Sequence, residues 1–342
     1  MNQTTLRKLP KIELHRHIEG SIRFETIKEL AKHYRIDLGV QTDKELLKKT
    51  KIKEPMNSLE DVIDVFWTSQ KVLCSYEAIK RITFENIEDA FVDGVKLLEL
   101  RFAPVFIAYG KDLGFDEILE GVLDGITLGM NRYNLQVGLI HIIPRPLEPQ
   151  KHAESTQEFL RYKKGLHKNA HRLCGFDLAD SETATKSTDF ISFVEMARGA
   201  GVGITVHTGE DTDAKYVEES IATYAPSRIG HGIKIIDDQG VMELVKEKNI
   251  HLELCPTSNW LTRSVDSIES HPLAELYRAG ISLSINSDDP HLMDIDLINE
   301  YELASRYFNL TLDDFYTINK QAIAHSFLDP DIKKYVETTY FS

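Results

Sequence analysis

Leu9-Pro-Lys-Ile-Glu-Leu-His-Arg-His-Ile-Glu-Gly-Ser-Ile-Arg23 sets the reading of the chain. The apolar run from Ile12 to His17 has the length of a strand and ends in polar residues. Directly behind it, Phe24 to Tyr34 carries apolar residues at the spacing of a helix with one buried face. This unit recurs. Further strands are expected at Lys96 to Phe102, Val137 to Ile143, Leu173 to Asp177, Gly203 to His207, Arg228 to Gly230, His251 to Leu254 and Ser282 to Asn286. Helical spacing lies between many of them, at Tyr76 to Asp93, Phe115 to Tyr133, Asp189 to Ala200 and Gly240 to Lys248. Strands alternating with helices imply a parallel sheet. Eight such units predict closure into a (β/α)₈ TIM barrel, one domain over residues 1–342.

Thr42 to Tyr76 is an insertion between the first two strands. Ser58 with Asp61 resembles a helix start, and Leu59, Val62, Ile63, Phe66 and Trp67 give it apolar residues. These residues fit plain core and fit a lid over a pocket. The chain has 342 residues, 42% hydrophobic and 27% charged, an ordinary globular balance. Its formal charge of −14, without a dense basic stripe, speaks against nucleic acid and against an anionic membrane surface. A small neutral substrate is the better expectation. Cys74, Cys174 and Cys255 are scattered and odd in number, and Met1 to Pro10 lacks the apolar core of a signal peptide. These features predict a reduced, cytoplasmic protein; they do not specify its oligomeric state.

In such a barrel, catalytic groups gather where strands end. Those positions hold His15 and His17, Arg101, Asp177 and Asp180, His207 with Glu210, His231, and the pair Asp288 and Asp289. Residues two apart on a strand share a face, so His15 and His17 can grip one ion. An HxH pair alone is equally well explained as structural; His207 and Asp288 at other strand ends give it weight. Imidazole and carboxylate suit Zn²⁺, and Fe²⁺ or Mn²⁺ would accept the same ligands. His152-Ala153-Glu154 mimics a cytidine-type deaminase HxE without the PCxxC that completes such a site, and reads as a solvated loop or helix start. Gly199, Gly201 and Gly203 precede a strand, which suits a tight helix-to-strand turn and not a dinucleotide loop. Taken singly, His231 could be a buried structural histidine, Glu210 a helix cap, and Asp288-Asp289-Pro290 a turn. Arg101 reads as a tie for its strand end, and Cys255-Pro256 as packing.

Together with the opening stretch, His207-Thr-Gly-Glu210, Arg228-Ile-Gly-His-Gly232, Cys255-Pro-Thr-Ser-Asn259 and Ser284-Ile-Asn-Ser-Asp-Asp-Pro290 closely resemble the adenosine deaminase family of metal-dependent amidohydrolases. The blocks fall in the family's order and span nearly the whole chain. The resemblance implies one zinc ion per subunit, held by His15, His17, His207 and Asp288. Zinc makes hydroxide available at neutral pH by lowering the pKa of water from about 15.7 toward about 7. The resemblance further implies that Asp288 accepts the water proton, that His231 orients the attacking oxygen, and that Glu210 protonates the purine ring nitrogen beside the amine-bearing carbon. Glu19, Gly20, Asp180 and Asp289 would bind the purine or its sugar, with Asp289 on the imidazole ring. Leu59, Val62, Ile63 and Phe66 would close over it.

Two positions depart from the family pattern. The acidic residue after HxH is commonly Asp, meeting the ribose 5′-hydroxyl; here it is the longer Glu19. Asp180 stands where Gly is usual, its N–H on the purine N3. Both concern the substrate and leave the reaction intact. Adenosine and 2′-deoxyadenosine are the expected substrates, with adenine or a modified adenine nucleoside as the alternative. A binuclear amidohydrolase would need a bridging Lys or Glu near the end of strand four, and Leu173 to Asp180 has no Lys. A non-catalytic purine-binding barrel would have lost a ligand or Glu210. A nucleotide deaminase would need a basic phosphate pocket.

Overall fold

The computed structural model describes all residues except 2 and 58, and describes 59 and 60 by backbone alone. The expectations for Ser58 and for the Leu59 side chain fall outside the described residues. Eight parallel strands pair in sequence order: β1 Lys11–His17, β2 Val95–Phe102, β3 Gln136–Pro144, β4 Leu173–Ala179, β5 Gly203–Thr208, β6 Arg228–His231, β7 His251–Leu254 and β8 Leu283–Ile285. The strands are those anticipated from the sequence, within two residues at each end. The TIM-barrel expectation is met, with helices in the β–α connections. Closure between β8 and β1 runs through the chain just past β8. His17 N donates to Asp288 O at 2.9 Å, and Asp288 N donates to His15 O at 3.1 Å. Barrel closure and the site therefore share the same residue.

β2 shows how alternation divides the barrel. Leu98, Leu100 and Phe102 enter the main hydrophobic core. Glu99 and Arg101, on the opposite face, enter a buried ion network, and Ala103 just beyond them reaches the cavity at the barrel mouth. β3 does the same: Ile142 and Pro144 line the cavity, while His141, just before them on the other face, packs on Phe159. Apolar burial on the outer face favours closure, while on the inner face each buried charge is paired, which offsets the cost of burying it.

The insertion after β1 forms helices Asp43–Thr50 and Leu59–Gln70. Thr42 starts the first with a reciprocal capping box to Glu45. Between the two helices the chain crosses the mouth: Ile52 N donates to Leu292 O at 2.7 Å and Met56 N to Leu261 O at 2.9 Å. Ile52 and Val62 then share a small apolar cluster with Leu261, Leu292 and Met293.

Some local readings are corrected. Of the two readings of His152-Ala153-Glu154, the helix start is met and the solvated one is not: the residues lie in the first turns of helix Pro149–Lys163, with His152 buried and its Nε2 donating to Leu147 O at 2.7 Å. Pro149 at the helix start leaves no polar cap to mark where it begins. The helix after β5 is capped by Asp213, not Glu210. Gly201 does adopt positive φ, 70°, at the turn into β5, as expected.

Candidate active site

The carboxyl ends of the strands bring the expected residues to one place. His15 Nε2 lies 3.2 Å from His17 Nε2, and each stands near Asp288 Oδ1, at 3.2 and 3.3 Å. Ligand atoms of His15, His17 and His207 all lie within 4.8 Å of one another, and those of His15, His231 and Asp288 do likewise. Partners on the far side of the rings fix their tautomers. His15 Nδ1 donates to Glu253 Oε2 at 2.8 Å, and His207 Nδ1 donates to Asp177 Oδ1 at 3.1 Å. With the ring proton on Nδ1, each Nε2 turns its lone pair inward. Converging lone pairs and a carboxylate oxygen repel one another unless a cation joins them. The donor set thus fits a metal ion.

The orienting carboxylates are anchored in turn. Arg101 bridges Asp177 Oδ2 at 2.7 Å and Glu253 Oε2 at 2.6 Å. Arg228 bridges Glu253 Oε1 at 2.7 Å and Glu99 Oε2 at 2.5 Å. Burial would raise Asp177 and Glu253, but His207 and Arg101 hold the first, and Arg101 and Arg228 the second, well below the usual carboxylate range. Both are charged and can accept the imidazole N–H. Arg101 ties its strand end, as expected, and also orients two histidines through their carboxylates.

Beside this cluster opens a cavity lined by His17, Glu19, Val62, Ile63, Phe66, Ala103, Phe106, Ile142, Pro144, Ala179, Asp180, His207, Glu210, His231, Ser258, Thr262, Asp288, Asp289 and Met293. Expected binding residues Glu19, Asp180, Asp289, Val62, Ile63 and Phe66 are in this wall. Gly20 is not. A Cβ on Gly20 would stand 1.8 Å from Asp289 Oδ1, so its bare backbone lets the Asp289 carboxyl settle against the chain.

Three carboxyl groups of this wall each keep a buried oxygen without a hydrogen-bond partner: Glu19 Oε2, Glu210 Oε1 and Asp289 Oδ1. Burial raises all three groups, Glu19 to about 7. For Glu210 and Asp289 the charge of Asp288 adds to the rise. Glu19 Oε1 accepts the Ala103 N–H at 2.6 Å, which leaves only its second oxygen for a ligand.

The backbone is turned sharply at the site. Asp180, His231 and Asp288 have φ of 72°, 61° and 62°. This left-handed region costs least for Gly, a backbone reason for the glycine that the resemblance leads one to expect at position 180. Asp180 meets that cost by accepting the Ser181 N–H on its own Oδ1 at 2.6 Å. Glu182 accepts N–H groups of Gly209, Glu210 and Asp211 at 2.7, 2.8 and 3.1 Å and so fixes the loop that carries Glu210. Arg145 donates to Asp180 O at 2.8 Å and His207 O at 2.6 Å, tying neighbouring strand ends.

Sequence reasoning gave no role to Glu253, Glu182, Arg145 or Phe106, and left Asp177 unassigned. For Glu253 and Asp177 a signal was present: a carboxylate inside an otherwise apolar strand run. Glu182, Arg145 and Phe106 lie in connections whose course the periodicity does not specify.

Fold and site together define a barrel amidohydrolase, a hydrolase acting on C–N bonds. The chain belongs to the adenosine deaminase family: the family model described as Adenosine deaminase matches residues 10–339. It is 35% identical over 332 residues to an adenosine deaminase of Clostridium botulinum, covering 97% of each chain. The N6-methyl-AMP deaminase of Arabidopsis thaliana has a similar structure, with a TM-score of 0.84 and 26% identity, covering 99% of this chain and 98% of that one. An adenine deaminase from Arthrobacter aurescens shares the fold, with a TM-score of 0.85 and 24% identity over 96% of this chain and 97% of that one. No helix among the described residues is long and apolar enough to cross a membrane.

Proposed function

We propose that this chain catalyses zinc-dependent hydrolytic deamination of an aminopurine, with adenosine and 2′-deoxyadenosine as substrates and one ion per subunit. The observation that carries the reading is the set of three partnerless buried carboxyl oxygens around a cavity beside the histidine–aspartate cluster. Buried polar atoms without partners are rare, and three around one cavity call for a ligand rich in hydrogen-bonding groups. An aminopurine presents such groups on both rings.

His15, His17, His207 and Asp288 would hold the ion, which when bound supplies the Lewis acidity that lets water attack at neutral pH. Glu210, raised by burial and by the charge of Asp288, keeps a proton to give to ring nitrogen N1. This withdraws electrons from C6. Asp288, held low because His15 and its other imidazole neighbours outweigh burial, is ionised and accepts the proton of the attacking water. The new C–O bond forms at C6, the C–N bond breaks, and the amine leaves as ammonia with the transferred proton. Asp289, raised by burial and by Asp288, carries a proton that N7 can accept. Val62, Ile63, Phe66 and Phe106 give the apolar wall that excludes bulk water.

Cytoplasmic location accords with the free thiols of Cys74, Cys174 and Cys255. Among the described residues no Lys or Arg lines the cavity, while Glu19 and Asp180 do. A phosphate would find carboxyl groups and no cation there, so the neutral nucleoside is favoured over the nucleotide. Glu19 supports a second reading, free adenine: its longer side chain occupies sugar space, and its spare oxygen can accept the N9–H of the base.

The test is amine release by zinc-loaded protein: ammonia from adenosine, 2′-deoxyadenosine, adenine and AMP, and methylamine from N6-methyladenosine. Turnover of the two nucleosides with AMP inert is the expected result. Adenine outrunning both would select the second reading. Release of amine from none of the five would overturn the proposal.

A further inference from the structure

We propose that Asn259 and His271 are positioning residues that lock His231 in its Nε2–H tautomer, so that it meets the reacting atoms as a hydrogen-bond donor and never as a base. The kinetic consequence rests on the deaminase reading above; the tautomer itself does not.

The argument runs inward from a backbone group. Leu273 is the first residue of helix Leu273–Arg278, where N–H groups lack an intrahelical acceptor. Its N–H donates to His271 Nδ1 at 3.1 Å. A main-chain N–H can only donate, so Nδ1 carries the lone pair and His271, neutral, has its proton on Nε2. Burial, which pushes His271 down to about 3, agrees with a neutral ring. His271 Nε2 lies 3.1 Å from Asn259 Oδ1 and therefore donates to it. The amide orientation follows: turned over, Asn259 would set NH₂ against N–H, two buried donors facing each other. Asn259 Nδ2 then points at His231 Nδ1, 3.0 Å away, and donates to it.

His231 has thus spent its one lone pair on Asn259. Its remaining nitrogen, Nε2, carries a hydrogen and faces Glu210 Oε2 at 3.4 Å and Asp288 Oδ2 at 3.7 Å. All three members of the relay are buried. No step is left open to exchange with solvent, and no alternative set of protons satisfies every contact. The division of labour in the site follows: Asp288 takes the water proton, Glu210 gives one to the ring, and His231 holds the attacking oxygen without titrating.

The first measurement is a long-range ¹⁵N–¹H correlation spectrum of ¹⁵N-histidine-labelled protein, with the His231 signals assigned by their loss in His231→Gln. The Nε2–H pattern is expected with and without zinc. A wild-type Nδ1–H or imidazolium pattern would overturn the proposal. The second uses Asn259→Asp, whose carboxylate can only accept and so draws the His231 proton to Nδ1. Its kcat should fall about 10²- to 10⁴-fold, as for other wrong-tautomer histidines, with KM within about threefold and zinc retained. His271→Ala, which leaves Asn259 free to turn over, should lose about 10-fold. A folded, zinc-replete Asn259→Asp with wild-type kcat would refute the positioning role. An Nε2–H signal in protein that releases no ammonia would instead fault the deaminase reading and leave the tautomer assignment standing.

Discussion

Two sets of buried carboxylates occupy this barrel, one below the mouth and one at it. Below, Glu253 meets Arg101, Arg228, His15 and Thr205, and Asp177 meets Arg101 and His207. At the mouth, Glu19, Glu210 and Asp289 each keep an oxygen without a partner. Residue type and burial are alike in the two sets, yet the lower pair is held ionised and the upper three are pushed toward the neutral acid. What separates these five is a cationic partner. Arg101, Arg228 and imidazole keep the lower pair charged, while among the described residues no guanidinium reaches the upper three, and burial leaves each an acid poised to meet a ligand.

The sharpest way to break this contrast is to remove the proton of one upper acid. Glu210→Gln keeps the shape but cannot cycle a proton, and should lower kcat about 10²- to 10⁴-fold while zinc content stays at wild-type level. Ammonia assay and metal analysis on one preparation decide it, and a fully active variant would end the acid assignment. Below the mouth the damage should appear in stability. Arg101→Met leaves Asp177 without its guanidinium and Glu253 with Arg228 alone, and should cost about 3–5 kcal/mol in urea unfolding, with activity lost as the carboxylates that orient His15 and His207 lose their anchor. A cost under about 1 kcal/mol would mean that the lower pairing is not what holds the strand ends together.

A smaller effect concerns pH. His141, sealed among Phe102, Phe159 and Phe176, is pushed down to about 3 by burial. Between pH 6.5 and 3 the unfolded chain binds a proton there that the folded chain refuses, so stability falls as pH drops below about 6.5. At pH 5 this amounts to about 2 kcal/mol. His141→Phe should remove about that much of the loss between pH 7 and 5; equal losses in both proteins would discard the idea. Smallest is Asp180→Gly. It relieves a left-handed φ but gives up the Asp180–Ser181 contact, so stability should move by less than about 1 kcal/mol. The useful readout is the ratio of KM for adenosine and adenine. An unchanged ratio would mean that the Asp180 carboxylate does not take part in substrate choice.

The barrel was legible because its units are local. An apolar run such as Val137 to Ile143 and the helix spacing of Phe24 to Tyr34 state their own periods, and both stand where expected. The candidate site was legible in its outline because strand ends converge in any such barrel, so His15, His17, His207 and Asp288 needed only to be placed on strands to be placed together. For helix Pro149–Lys163 the start was offered as one alternative, but its extent and buried face were missed because it begins on Pro and not a polar cap, and its buried His152 looks polar in sequence.

What the sequence determined alone was the list of strands, their order and the residues at their ends, since each depends on neighbours within a few positions. Only the tertiary structure decided which carboxylates met an arginine, which way Asn259 faces between His231 and His271, and that Gly20 makes room for Asp289 without lining the cavity. Those outcomes turn on contacts across the barrel between residues far apart in the chain. Proton position and charge depend on distances of a few ångströms, which no periodicity encodes.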